Sequence, residues 1–235
     1  MKLSVIMPVY NEKNTIREIV KKVMDVNVEK ELIIIDDNSS DGTKEILKNE
    51  YEGKDNIKLI YKEKNEGKTS AIKIGVKEAE GEIIIIQDAD LEYEPEDYLK
   101  LIKPIIEDRA DVVYGSRFLN KKYKFSLWYF ANKFLTHLTN LLTGLRLTDM
   151  ETCYKAIRSD IIKNIEIESK GFEFEPEITL KIARNKYIIK EVPIFYRGRQ
   201  YSEGKKIGWK DGFGAIYTIV KYSTMDSLKD LRRKL

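Results

Sequence analysis

The stretch "EIIIIQDADLEYEPEDY" (82–98) sets four consecutive isoleucines directly before Asp88, Asp90 and Glu92. An apolar run with no polar alternation is the pattern of a strand buried on both faces, as in a parallel sheet covered by helices. In an open parallel sheet, ligands bind beyond the carboxyl ends of the strands. The stretch therefore predicts a buried strand that delivers carboxylates to a ligand edge. Asp88 and Asp90 project alike in an extended segment, and Glu92 joins them if the extension continues.

The flanking sequence repeats the arrangement. Residues 2–9, 31–37, 56–62 and 110–118 read as further strands, and residues 12–26, 41–51, 68–81 and 95–109 as helices. Asp41 stands as an N-cap and Pro95 falls in a first turn. This βαβ rhythm predicts an α/β fold with a mostly parallel central sheet flanked by helices. The second half is different. Residues 124–145 form a long apolar helical pattern, a helix is expected near 174–185, 187–199 read as a strand and 208–222 as a last helix. The expectation is one domain over 1–235, with a nucleotide-binding half (1–118) and an acceptor-side half (119–235).

Bulk properties narrow the class. The chain has 235 residues, a net charge of +3, 42% apolar and 34% charged residues. That is the composition of a globular domain, and the small net charge gives no sign of nucleic-acid binding. The single Cys153 excludes a disulfide framework and fits a reducing cytosol. The opening "MKLSVIMPVY" has no signal-peptide pattern, and no apolar run reaches the ~18–20 residues of a membrane span. The expectation is a cytoplasmic protein that does not cross a bilayer but can lie peripheral to the membrane, with a homo-oligomer as one possible means of attachment.

Three strands end in chemistry: "PVYNE" (8–12), "DDNSSDG" (36–42) and "QDADLE" (87–92). In a parallel sheet these ends share one edge, so Asp36, Asp37, Asp88, Asp90 and Glu92 can converge. Clustered carboxylates repel unless a cation joins them, and hard oxygen ligands favour Mg²⁺ or Mn²⁺ with positions left for phosphate oxygens. A nucleotide diphosphate held through a metal is the indicated ligand. The plainer alternative is solvated acidic loops.

Taken in order, "VIMPVYNE", "LIIIDDNSSDGT", "NEGKTSAIKIG", "GEIIIIQDADLEYEPEDY", "VVYGSRF" and "EVPIFYRGR" resemble family 2 glycosyltransferases of the GT-A fold. The resemblance is greatest to the branch of dolichyl- and polyprenyl-phosphate sugar synthases. It implies that Pro8, Val9, Tyr10, Glu12 and Asp37 line the nucleotide pocket, with Asp37 near the base or ribose. Asp88-Ala89-Asp90 matches the family's DXD motif. Asp88 would face the nucleoside or sugar, and Asp90 with Glu92 would hold the metal. Many members of the branch carry Gln where this chain has Glu92. The basic segment "RGRQYSEGKKIGWK" (197–210) resembles the flexible acceptor loop, in which Arg199 and Lys206 would clamp phosphate. The implied partners are a UDP- or GDP-sugar and a polyprenyl phosphate.

The acceptor side adds its own signals. Arg117 follows the fifth strand at the ligand edge, and Arg grips phosphate oxygens bidentately. Phe125, Trp128, Tyr129, Phe130, Phe134 and Leu135 stand near Lys121, Lys122 and Lys124, a mixture that suits either a membrane interface or a core helix. The resemblance implies a cation on this segment for the lipid phosphate, usually Arg in the family, and Lys133 is the nearest candidate here. A phosphate acceptor is already an anion and needs no general base, so direct displacement with inversion is expected. A saccharide hydroxyl acceptor, the alternative, would need one: Glu175 stands where the resemblance places a catalytic Asp and Asp149 is the other candidate, but both are expected to shape or polarise the site rather than to act as an obligatory base.

Other readings fit less well. "NEGKTS" (65–70) ends like a phosphate-binding P-loop but has Lys62 where that motif needs its first glycine. The Asp36-Asp37 pair resembles that of phospho-receiver domains but follows the second strand. The only histidine, His137, lies amid an apolar helix. A sugar nucleotidyltransferase would need a Gly- and Arg-rich loop after the first strand, where "PVYNEKNT" stands. A silent binding module leaves the acidic set unexplained.

Overall fold

The computed structural model describes residues 1–119, 127–169, 171, 173–198, 212 and 214–223. Seven strands form one sheet in the order β3-β2-β1-β4-β6-β5-β7. They are β1 (Leu3–Val9), β2 (Lys30–Asp36), β3 (Ile57–Tyr61), β4 (Ile83–Ile86), β5 (Val112–Ser116), β6 (Lys155–Arg158) and β7 (Ile189–Pro193). All neighbours are parallel except β6, which runs antiparallel to both β4 and β5. All four isoleucines of β4 are buried, as a strand covered on both faces requires.

The helices are α1 (Ile16–Asp25), α2 (Thr43–Tyr51), α3 (Lys68–Glu78), α4 (Tyr98–Ile106), α5 (Leu127–Thr143), α6 (Ser159–Asn164) and α7 (Phe174–Arg184), followed by α8 over 214–223. The chain fills β1, β2 and β3 outward and then returns to place β4 on the other side of β1. That reversal is a topological switch point, where a crevice opens beyond the carboxyl ends of β1 and β4. Close packing of α3 on the sheet explains Gly75: a Cβ there would lie 2.4 Å from Ile6 Cγ2.

Several boundaries differ from the sequence expectation. β4 stops at Ile86 rather than Asp88. The helix expected at 41–51 begins at Thr43, with Gly42 at φ 102° as its N-cap. Asp41 instead accepts the Thr43 N–H (3.0 Å) from just outside the helix. A 3₁₀ turn at Pro95–Asp97 precedes α4. The strand β6 and the helix α6 have no counterpart in that expectation. Four residues of β6 are too few for a periodicity signal, and its partners lie more than 40 residues away. Because β6 is antiparallel, its beginning, around Cys153 and Lys155, falls on the same edge as the carboxyl ends of β4 and β5.

Candidate active site

The loops after β1 and β2 brace each other. Asn11 adopts a left-handed backbone (φ 56°), its N–H donates to Ser39 Oγ (2.9 Å), and its Oδ1 accepts the Ser40 N–H (2.9 Å). The Glu12 N–H donates to Thr43 Oγ1 (3.0 Å), and the Asp37 N–H to the Val9 carbonyl (2.8 Å). Pro8 is half-buried, Val9 buried and Tyr10 exposed beside this brace. Asp36 is fully buried and accepts the Ser39 N–H.

Asp37 is tied to the start of α3. Its carboxylate accepts from Lys62 Nζ (2.5 Å) and from the N–H groups of Glu66 (3.1 Å) and Gly67 (2.7 Å). A carboxylate at a helix N-terminus satisfies donors that the helix leaves open and complements its dipole. Both Asp37 oxygens are thus held by the chain's own donors.

Beyond β4 the chain turns. Asp88 is ion-paired with Lys68, Nζ lying 2.6 Å from Oδ1 and 2.9 Å from Oδ2. Burial is the largest single influence and works against the Lys68 charge, but the Asp88 carboxylate, with Cys153 and Glu175 adding to it, holds the ammonium well above its usual range. Lys68 Nζ also lies 3.7 Å from Cys153 Sγ. Ala89 is buried. Asp90 Oδ1 accepts the Glu92 N–H (3.1 Å) around Leu91, whose φ is 62°. The extended alternation of Asp88, Asp90 and Glu92 therefore does not occur: the strand has ended, and Asp90 and Glu92 meet through a turn.

That turn is fastened to the residues that follow β7. Tyr196 Oη donates to Glu92 Oε2 (2.9 Å), the Arg197 N–H to the Glu92 carbonyl (2.9 Å), and the Phe195 N–H to buried Asp97 (2.6 Å). Tyr93 and Tyr196 form an isolated antiparallel bridge. Arg199 and Lys206, with most of the basic segment 197–210, lie outside the described residues.

The donor chemistry fits a hard divalent cation only in part. Among the described residues, no three His, Cys, Asp or Glu side chains are grouped to enclose a metal. Asp88 is already neutralised by Lys68. Asp90 and Glu92 place two further carboxylates in one turn, and a cation held there would need phosphate oxygens and water to complete its shell, the usual arrangement for Mg²⁺.

On the acceptor side two buried ion pairs stand at the edge. Arg117 makes a fork with Asp149, Nε to Oδ2 and Nη2 to Oδ1, both 2.7 Å, and its own N–H adds a 2.9 Å bond to Oδ2. Burial disfavours the guanidinium, yet Asp149 holds it well above its usual range. Lys155 Nζ lies 2.5 Å from Glu175 Oε2. Lys133 donates to the Thr148 carbonyl (3.2 Å) and sits over the Phe118 ring. Sequence reasoning passed over Lys62, Lys68, Tyr196 and Glu151. Lys68 was visible inside "NEGKTS", but only as a failed P-loop.

α5 carries an exposed row at helical spacing: Phe130, Phe134, His137 and Leu141. Tyr217 and Val220 of α8 are exposed as well. No helix among the described residues is long and apolar enough to cross a membrane.

Comparison with known proteins adds four findings. The model of the family "Glycosyl transferase family 2" matches residues 4–166. A UDP-N-acetylglucosamine–dolichyl-phosphate N-acetylglucosaminyltransferase of Methanococcus voltae is 34% identical over 236 residues, covering 92% of this chain and 93% of the relative. A dolichol-phosphate mannosyltransferase of Pyrococcus furiosus is 31% identical over 234 residues, covering 94% of this chain but only 64% of that longer protein. Among solved structures, glucosyl-3-phosphoglycerate synthase from Mycobacterium tuberculosis, crystallised with Mn²⁺, UDP and phosphoglyceric acid, superposes with a TM-score of 0.71 at 17% identity. It covers 94% of this chain and 78% of that one, and it shows the GT-A fold.

Proposed function

The chain belongs to glycosyl transferase family 2, and from that premise we propose that it moves a sugar from a UDP- or GDP-sugar to a polyprenyl phosphate at a membrane surface, with inversion and with a divalent metal. The observation that carries this reading is the fastening of the Asp90–Glu92 turn to Tyr196 and Arg197. The carboxylates suited to the donor's diphosphate and the root of the basic acceptor segment form one unit. Relatives named as dolichyl- or dolichol-phosphate sugar transferases agree with it.

The residues divide the work. The braced loops after β1 and β2 offer Pro8, Val9, Tyr10 and Glu12 to the nucleotide, with Asp37 holding the neighbouring start of α3. Asp88 presents its Lys68-neutralised carboxylate to the nucleoside or sugar. Asp90 and Glu92 would hold Mg²⁺ or Mn²⁺, which supplies charge stabilisation for the departing diphosphate. Arg117, Arg199 and Lys206 would gather the acceptor phosphate. That phosphate is an anion and attacks the anomeric carbon directly, so the enzyme's task is positioning and charge stabilisation.

The two pairs on the acceptor side disfavour Asp149 and Glu175 as the general base that a saccharide hydroxyl acceptor would need. A general base must be free to take a proton, and Asp149 and Glu175 are each committed to a buried cation. The apolar row on α5 supports peripheral attachment, since its aromatics can enter the headgroup boundary.

The test is release of UDP or GDP with a panel of nucleotide sugars, Mg²⁺ or Mn²⁺, and a short polyprenyl phosphate. Acceptor-dependent release of the nucleoside diphosphate, with a sugar-phosphate-lipid product, is expected. Turnover only with saccharide acceptors, or release of pyrophosphate, overturns the reading.

A further inference from the structure

Glu151 lies in the segment between α5 and β6, at the sheet edge that holds the donor and acceptor groups. Two buried ion pairs flank it. The charged groups that act on it are Glu175 from α7, Lys155 at the start of β6, Arg117 after β5 and Asp149 two residues before it. Both cations are already taken, Arg117 by Asp149 and Lys155 by Glu175. Three carboxyl groups thus share two positive charges. Glu151 Oε1 is buried and makes no hydrogen bond among the described residues, although the residue as a whole is only partly buried. A buried polar oxygen without a partner is costly in a resting protein. It is accounted for if a ligand completes it.

We propose that Glu151 is a catalytic-site hydrogen-bond donor that meets a phosphate oxygen of the acceptor. This rests on the polyprenyl phosphate reading above. Burial, with Glu175 adding repulsion, pushes the Glu151 carboxyl up to about 8. At neutral pH it carries its proton. A protonated carboxyl gives a phosphate oxygen a short charge-assisted bond, whereas a carboxylate in the same place repels the phosphate. Phosphate monoesters lose their second proton near pH ~6. Between about 6 and about 8 the acceptor is fully charged while Glu151 still holds its proton. The proton stays on Glu151 throughout, so no general-base step is involved.

The experiment compares the full wild-type chain with Glu151→Gln and Glu151→Ala, using a short polyprenyl phosphate and its accepted nucleotide sugar. Turnover and acceptor KM are followed from pH ~6 to ~9.5. In the wild type, the acceptor KM should rise up to about tenfold per pH unit above about 8. Gln is a neutral donor at every pH. Its variant should stay within about threefold of wild type at pH ~7 and lose the alkaline rise. Ala should raise the acceptor KM about tenfold across the range and leave nucleotide binding unchanged. A Gln variant that keeps the alkaline rise, or one that binds both substrates without turnover, overturns the proposal. Difference infrared spectroscopy, wild type minus Glu151→Gln at pH ~7, separates this from a failure of the acceptor reading. A protonated-carboxyl carbonyl band is expected whether or not any acceptor is glycosylated, and its absence overturns the proposal independently.

Discussion

The hydroxyl of Tyr196 donates to the carboxylate of Glu92 over 2.9 Å, joining residues 104 positions apart. One lies in the turn that holds the metal-suited carboxylates, and the other immediately precedes the basic segment that follows β7. With the Arg197 N–H on the Glu92 carbonyl, the contact fixes where that segment leaves the sheet. On the proposed function, occupancy of the donor side and placement of the acceptor side therefore share a mechanical link.

Tyr196→Phe removes that hydroxyl and keeps the ring. A hydrogen bond to a charged group contributes about 1.5–3 kcal/mol. The variant should need roughly ten times more Mn²⁺ or Mg²⁺ for half-maximal transfer, with metal-free nucleotide binding unaltered. A metal titration of initial rates checks it, and an unchanged half-saturation point would count against Glu92 as a ligand.

Asp90→Ala removes one of the two carboxylates proposed for the metal, together with the turn contact to the Glu92 N–H. Transfer should be lost and nucleotide affinity should cease to depend on metal, while the thermal midpoint stays within a few degrees. Calorimetric titration of UDP and GDP with and without Mn²⁺ measures this. Near-normal turnover would remove Asp90 from the metal site.

Arg117→Ala should destabilise the whole domain. Asp149 is fully buried and would be left without its cation, a loss of about 3–5 kcal/mol. Urea unfolding followed by circular dichroism should show it. The double variant Arg117→Met with Asp149→Leu should regain most of that stability without regaining transfer. If Arg117→Ala lowers transfer with full stability, Arg117 serves the substrate rather than the fold.

The sheet was legible because its strands announce themselves. "IIII" at 83–86 and "LIII" at 32–35 cannot be solvated, and the strand ends carry their acidic residues on one edge in both reading and structure. Pairings across the sheet were not legible. β6 is four residues long, and its antiparallel entry is set by partners in β4 and β5 rather than by its own pattern. The same blindness hid Lys68, Lys155 and Glu151. A charged residue looks solvated in a sequence until the fold shows what has been brought against it. The turn at Leu91 was missed because a left-handed leucine has no sequence signature comparable to glycine.

The α5 row makes a membrane prediction. Phe134 is 58% exposed and Phe130 61%. Burial of one such ring in an interface contributes about 1.5–3 kcal/mol. Phe134→Glu should weaken binding to phosphatidylcholine–phosphatidylglycerol vesicles by about tenfold or more, with nucleotide binding intact. Sedimentation with vesicles measures it, and equal binding would assign attachment elsewhere.

Acid should release α8 first. Glu168 bonds Lys221 of that helix (3.0 Å) and pairs with Lys181 of α7 (3.4 Å), while Tyr222 Oη donates to Glu177 (3.1 Å). The Lys221 ammonium, with burial opposing it, holds the Glu168 carboxyl at about 2 against an ordinary 4.5. A carboxylate lowered by folding adds stability that is present above its unfolded value and lost as pH falls toward its folded one. Its contribution should therefore disappear between pH 4.5 and 2. Glu168 is 44% exposed, so the effect is local rather than global. Hydrogen exchange across this range should show the amides of 214–223 losing protection before those of β1 and β4. Glu168→Gln should leave α8 equally loose at both ends of the range. Simultaneous loss of protection in α8 and the sheet would mean that the helix is held by its apolar contacts, Ile219 among them, and not by this carboxylate.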